Sequence, residues 1–155
     1  EPDALLSAAP KILGLDGTQK MSKSRGNAIM LRATADETAS LIKRATTDAN
    51  RTITYEPEAR PQVANLLLLV SLCTGEPPEA IAARIGDGGG GTLKKVLTEA
   101  LNETLRPLRA RRAELAADAP AVVKRTLEKG IAAANQVAES TLRAMRRAMN
   151  MDYGV

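Results

Sequence analysis

Apolar residues in the second half of this chain recur every three or four positions, and that period leaves little alternative to helix. Leu93, Val96, Leu97, Ala100, Leu101, Thr104, Leu105 and Leu108 follow the i, i+3, i+4, i+7 pattern. Val123, Leu127, Ile131, Ala134, Val137, Ala138, Leu142, Met145 and Met149 make a second stripe. A strand buries alternate residues, so neither segment could cover its apolar set as a strand. Composition pushes the same way. Aromatic content is 1%, with no Phe and no Trp, so a core must come from Leu, Ile, Val, Met and Ala. With abundant Lys, Arg and Glu, these favour helices over sheets. The 155 residues suffice for a domain with a real core. From about residue 34 onward we expect an all-α, antiparallel helical bundle.

Local signals divide that region. Thr34 with Glu37 three residues later fits a capping box. The helix it opens carries Thr38, Leu41, Ile42 and Ala45 and should end near Thr46. Asp48 to Arg51 reads as a turn, and Thr52 to Tyr55 as an extended connector. Pro61 suits the first position of a helix, with Val63, Leu66, Leu67, Val70 and Cys73 on one face. Leu68, Leu69 and Leu72 add apolar surface on other sides, so burial nearly all round is expected. Gly75 should stop it, and a short helix should run from Pro78 to Ile85, ending at Gly86. Gly86 to Gly91 reads as a hinge-like linker; no Gly-Lys-Ser/Thr follows it, which argues against a phosphate cradle. Thr92 is the expected cap of the next helix. Pro107 should kink or divide that helix, and Gly130 should bend the last one.

Before residue 34 the signals differ. Residues 1–13 are apolar-rich and broken by Pro2 and Pro10, with Lys11-Ile12-Leu13 a short buried strand or turn. Residues 14–27 are loop by composition. A free-standing domain would rarely begin with so long an irregular basic segment. We therefore expect residues 1–27 to be a loop segment left from a larger, Rossmann-type catalytic domain, and residues 28–155 to form a helical domain.

Several function classes are excluded. There is no His, which rules out His-based triads, His general bases and His-ligated zinc. Cys73 is the single cysteine, so there is no intramolecular disulfide and no Cys-cluster metal site; no protein-ligated metal is expected. It lies on an apolar helix face, where a small core residue is the commoner role. The net charge of +4 is explained as well by a solvated surface as by nucleic acid. No window approaches the apolar length of a membrane span and no signal-peptide pattern opens the chain, so no membrane partner and a cytoplasmic location are the default expectations.

Chemistry concentrates at Lys20-Met21-Ser22-Lys23-Ser24, between Gly14-Leu15-Asp16-Gly17 and Gly26-Asn27. Lysine ammonium groups are compact charges suited to phosphate oxygens. Three positions apart in a tight turn, Lys20 and Lys23 can reach one polyphosphate. Ser22 and Ser24 can add hydroxyl or backbone donors, and Met21 can pack against a base. The glycines leave such a loop free to move, and a loop that closes late places its charge when the transition state needs it. We expect it to be poorly ordered or displaced.

The pentapeptide is identical to the KMSKS motif of class I aminoacyl-tRNA synthetases. Further blocks follow in order: Ile42-Lys43-Arg44-Ala45-Thr46-Thr47-Asp48, Thr52-Ile53 through Tyr55, Pro61 to Leu67, Glu103-Thr104-Leu105-Arg106-Pro107, and Gly130 through Asn135 to Val137-Ala138. Together they make the chain resemble the C-terminal part of the bacterial tryptophanyl-tRNA synthetases. The resemblance implies an enzyme that activates L-tryptophan with ATP, accompanied by Mg2+, and transfers it to tRNA(Trp). It implies that Lys20 and Lys23 are catalytic contacts to the ATP phosphates, within an ATP-binding set of Ile12, Lys20, Met21, Ser22, Lys23 and Ser24. It implies a homodimer for the complete enzyme, and a helical domain that approaches the anticodon. The HIGH motif of class I enzymes needs histidine, which this chain lacks. The expectation is therefore a C-terminal fragment, inactive by itself. A tyrosyl-type synthetase or a non-catalytic helical RNA-binding module are the alternatives.

Lys94, Lys95, Arg106, Arg109, Arg111 and Arg112 form a basic belt on or near one long helix. Arg106, Arg109, Arg111 and Arg112 are the candidate tRNA contacts, set against a solvated face offset by Glu99, Glu103 and Glu114. Arg143, Arg146 and Arg147 better suit the C-terminal end of a helix dipole.

Overall fold

The computed structural model describes residues 2–7 and 9–153; Glu1, Ala8, Gly154 and Val155 lie outside it. Among the described residues there are five α-helices: α1 (Ala35–Lys43), α2 (Pro61–Thr74), α3 (Pro78–Ile85), α4 (Gly89–Ala117) and α5 (Ala119–Ala148). The only β pairing among them is an isolated antiparallel bridge between Leu13 and Lys20. The all-α class read from the periodicity stands. The chain divides into two compact units, Glu1–Ala110 and Arg111–Val155.

In the first unit the local signals work as chemistry requires. The Thr34 hydroxyl accepts the Glu37 amide at 3.1 Å, and the Glu37 carboxylate accepts the Thr34 amide at 2.8 Å. Two donors that α1 cannot satisfy internally are thereby paired. The helix ends at Lys43, earlier than Thr46, but the turn continues through a bond from the Ala45 amide to the Ile42 carbonyl at 3.0 Å. Helix α2 starts at Pro61 and stops at Gly75 (φ +78°), as its sequence predicts. Its Val63, Leu66, Leu67 and Val70 are buried, joined by Ile42 of α1, Ile81 of α3 and Leu93 and Leu97 of α4. Burying each such side chain contributes about 1.5–3 kcal/mol. Leu72 is 48% exposed, so α2 is covered on most sides rather than all round.

One polar pair is built into this core. Arg60, immediately before α2, is 7% exposed. Its Nε donates to Asp48 Oδ2 at 2.7 Å and its Nη2 to Asp48 Oδ1 at 2.8 Å. Nη1 donates to the Thr52 carbonyl and the Thr54 hydroxyl at 2.8 and 2.6 Å. The guanidinium thus ties the 48–54 segment to the start of α2. The hydrogen bond from Arg60 holds the Asp48 carboxyl below its usual range.

The glycine run differs from expectation. Gly86–Gly88 is a 3-10 turn and α4 already begins at Gly89, so this is not a linker and Thr92 is not the helix cap. The Thr92 hydroxyl instead donates to the Gly88 carbonyl at 2.7 Å. A Cβ at Gly90 would lie 2.9 Å from Thr47 Oγ1, so the absent side chain allows the first turn of α4 to press against the 47–52 segment. Thr52 Oγ1 donates to Asp87 Oδ1 at 2.6 Å there.

Helix α4 also runs through Pro107 undivided. Pro107 lacks the N–H that would bond the Glu103 carbonyl. Glu103 and Pro107 are both exposed, where water can serve that carbonyl instead.

In the second unit α5 continues through Gly130 without a break. No residue of α5 is buried, and Val123, Leu127, Ile131, Val137, Leu142, Met145 and Met149 are all exposed. The stripe is real, and it lies exposed. Periodicity marks an apolar face, and burial needs a second surface. Among the described residues no single helix is long and apolar enough to cross a membrane.

Candidate nucleotide site

The Lys20–Ser24 loop is the far side of a small hairpin. The Met21 amide donates to the Ile12 carbonyl at 2.9 Å and the Gly14 amide to the Gln19 carbonyl at 2.8 Å. At the tip, the Asp16 carboxylate accepts the Thr18 amide at 3.1 Å, as a turn-forming Asp does. Asn65 of α2 holds one strand of the hairpin by both its groups: its Oδ1 accepts the Leu13 amide and its Nδ2 donates to the Leu13 carbonyl, each at 3.0 Å. Asn65 is 5% exposed, so this is a buried polar link whose two groups are both paired. A second link runs from the Thr46 amide to the Leu15 carbonyl at 2.9 Å. The α1-α2 connection and α2 therefore carry the hairpin. The hairpin is thus bonded both across its own strands and to these two segments.

The returning segment is closed by Asn27, which is 7% exposed. Its Oδ1 accepts the Ser22 amide at 2.8 Å, and its Nδ2 donates to Asp16 Oδ2 at 2.9 Å and, more weakly, to the Lys20 carbonyl at 3.5 Å. Its own carbonyl accepts the Leu15 amide at 2.9 Å. The hydrogen bond from Asn27 is the main cause that keeps the Asp16 carboxyl below its ordinary range. Gly14 is required here, because a Cβ on it would overlap the Asn27 side-chain amide.

Within this frame Lys20, Lys23, Ser24 and Arg25 are exposed, while Met21 and Ser22 are half-buried. Lys23 to Arg25 form one 3-10 turn. The Ser22 and Ser24 hydroxyls lie 2.9 Å apart, and the Arg25 guanidinium donates to the Gln19 side chain. Lys20 and Lys23 make no ion pair among the described residues. A cleft of about 350 Å³ is lined by Lys20, Met21, Ser22, Ser24 and Arg25. Of the sequence-derived set, Lys20, Met21, Ser22 and Ser24 share this cleft. Lys23 stands beside it at the start of the turn. Ile12 lies on the opposite strand, packed against the core, with its carbonyl taken by Met21. An open cleft lined by an exposed ammonium group and two hydroxyls, with a second ammonium beside it, can bind an anion with several oxygens.

Asp16, Asn27 and Asn65 frame the site, and sequence reasoning did not assign them to it. Asp and Asn habitually bond loop backbone, and that habit was the available signal for the first two.

The arginines of α4 differ in their engagements. Arg106 pairs with Glu103 at 2.6 Å and Arg111 with Glu114 at 2.8 Å, both exposed i, i+3 pairs. Arg109 is engaged within the first unit, its Nη1 donating to Asn102 Oδ1 and its Nη2 to Thr38 Oγ1, each at 2.9 Å. Arg112 is exposed and makes no ion pair among the described residues.

The model for tRNA synthetases class I (W and Y) matches residues 2–106, which is most of the chain and includes the whole hairpin. The chain belongs to this class I synthetase family. The tryptophan–tRNA ligase of Thermosynechococcus vestitus is 39% identical over 152 residues, 95% of this chain. Tryptophan–tRNA ligase 1 of Streptomyces coelicolor is 34% identical over 149 residues, 94% of this chain. The chain spans 46% and 44% of those relatives' lengths. Among solved structures, the tryptophanyl-tRNA synthetase of Campylobacter jejuni complexed with ADP and tryptophan superposes with a TM-score of 0.71. It is 23% identical, and the match covers 90% of this chain and 43% of that one. That likeness supports the fold. The synthetase of Mycoplasma pneumoniae gives a TM-score of 0.55 at 26% identity, covering 66% of this chain and 35% of its own.

Proposed function

We propose that these residues serve as the C-terminal part of a tryptophan–tRNA ligase, which activates L-tryptophan with ATP and transfers it to tRNA(Trp). The observation that carries this reading is the KMSKS hairpin, fixed to α2 by Asn65 and to the α1-α2 connection by Thr46, with exposed Lys20 lining an open cleft and exposed Lys23 beside it.

In activation the tryptophan carboxylate oxygen attacks the α-phosphorus of ATP. A new P–O bond forms, the bond to the β-phosphate bridging oxygen breaks, and pyrophosphate leaves with that electron pair. Lys20 and Lys23 would meet the β- and γ-phosphate oxygens as their charge grows, with Ser22 and Ser24 adding donors. Met21 would border the adenine, with the Ile12 strand behind it. Mg2+ would arrive with the nucleotide. The chain has no His, so a HIGH motif is not among these 155 residues. The division into residues 1–27 as catalytic tail and 28–155 as anticodon-side helical domain follows from the same reading. So do a homodimeric complete enzyme and a cytoplasmic place of work. Of the four arginines offered to tRNA, Arg112 is the least committed within the fold.

The test joins this chain to the catalytic half of the Thermosynechococcus relative and measures amino-acid-dependent pyrophosphate exchange. Tryptophan-dependent exchange is expected, the relative's half supplying the tryptophan pocket and this chain the KMSKS hairpin; a folded chimera with no exchange would overturn the assignment. Lys23→Ala should slow activation by about a hundredfold or more, as loss of one transition-state contact does, while tryptophan affinity holds. Equal losses in both would argue against a transition-state role.

A further inference from the structure

We propose that Asn27 is a positioning residue for the phosphate-binding lysines, working as one half of a side-chain latch with Asp16. This rests on the reading of the hairpin as an ATP-phosphate site. The Asn27 side-chain amide bonds the Ser22 N–H, Asp16 Oδ2 and the Lys20 carbonyl, and its backbone carbonyl accepts the Leu15 amide. All of these partners belong to the hairpin itself, and none to an α-helix. The two backbone groups that Asn27 grips, the Lys20 carbonyl and the Ser22 amide, flank Met21. Between them they set the course of the chain from one lysine to the other.

The latch is also buried. Asn27 is 7% exposed and sits over Gly14 with no room for a Cβ between them, so water does not readily replace its bonds. Asp16 completes it from the tip. One carboxylate oxygen holds the tip turn through the Thr18 amide and the other accepts the Asn27 amide. Tip and returning strand are thereby joined, and the lysines lie on the segment between. A lysine on a flexible stem binds wherever its backbone lets it reach. Fixing that backbone before ATP arrives reduces the ordering cost of binding.

The pair can be tested by swapping its polarity. In Asn27→Asp, a carboxylate faces Asp16 and no donor remains. In the double variant, Asp16→Asn with Asn27→Asp, the amide placed at position 16 can accept from Thr18 and donate to the carboxylate placed at position 27. That carboxylate still accepts from Ser22. The net charge then equals that of the original chain, so any recovery reflects the bond rather than the overall field.

Two readouts are taken on the full 155-residue chain: hydrogen exchange at the Ser22 amide, and affinity for inorganic tripolyphosphate from NMR titration. Asn27→Asp should speed Ser22 exchange and weaken tripolyphosphate binding, each by about tenfold, the effect of losing one hydrogen bond to a charged group. The double variant should recover most of both. Thermal unfolding of the helices should stay unchanged, because no helix loses a contact. Three results would overturn the latch: unchanged Ser22 exchange, no recovery in the double variant, or faster exchange with unaltered tripolyphosphate affinity. Lys23→Ala provides the separate check. If it leaves tripolyphosphate affinity intact, the phosphate reading fails; if it abolishes binding while Asn27→Asp does not weaken it, the latch alone fails.

Discussion

Replacing Asp48 by Asn removes the charge that neutralises Arg60 while keeping the side-chain shape. The Arg60 side chain is 8% exposed and Asp48 33%, and two bonds of 2.7 and 2.8 Å join them. Breaking a fully buried pair by changing one partner costs about 3–5 kcal/mol. Asp48 is partly open to water and Arg60 keeps the Thr52 carbonyl and Thr54 hydroxyl. An amide oxygen can also still accept one bond. A loss of about 2 kcal/mol at pH 7 is therefore expected, near the value of a hydrogen bond to a charged group. The sign with pH follows from the Asp48 carboxyl, whose folded pKa lies below its unfolded value. Its contribution is fully present above the unfolded value, about 3.9, and is lost as pH falls through the lower folded value. Urea unfolding of both chains, followed by circular dichroism and by the exchange of α2 amides, should show the gap at pH 7 and a smaller one at about pH 3, below the unfolded value. A gap under about 0.5 kcal/mol at pH 7, or one that persists undiminished at the acid end, would refute the account of Arg60 as a cation dependent on Asp48.

Leu97→Ala, at a fully buried position of α4, should cost about 2–5 kcal/mol in urea unfolding, whereas Leu127→Ala, 57% exposed on α5, should stay within about 0.5 kcal/mol. Thr34→Ala removes the cap of α1 and should cost about 1 kcal/mol, read as faster exchange of the Glu37 amide; protection equal to the parent would show that the cap is idle.

Helix starts and stops were open to reading because their chemistry is local. A Thr with a Glu three positions on, a Pro at a first turn, and a Gly after a last turn each act over a few residues, and α1, α2 and α3 follow them. The signals that misled were also local, but their outcome depended on distant atoms. The Gly86–Gly91 run permits a hinge, and becomes a helix start because Thr47 and Thr52 come close enough to use it. Pro107 forbids one hydrogen bond, and the helix persists because the affected carbonyl belongs to an exposed residue. The α5 stripe states which face is apolar and nothing about what covers it.

The candidate site divides in the same way. Sequence by itself determined the helical class, the lysines and serines of the loop, and through the pentapeptide the chemistry they suit, because these depend on residue type and short spacing. Only the tertiary structure decided how that loop is held. Asn65 meets Leu13 across 52 positions, Asn27 closes on Asp16 and Gly14, and Lys20 shares a cleft with Ser22 and Ser24 while Ile12 turns to the core. The long-range pairing costs chain entropy that no local signal records, and it is the placement of α2 beside the hairpin that brings Asn65 to Leu13.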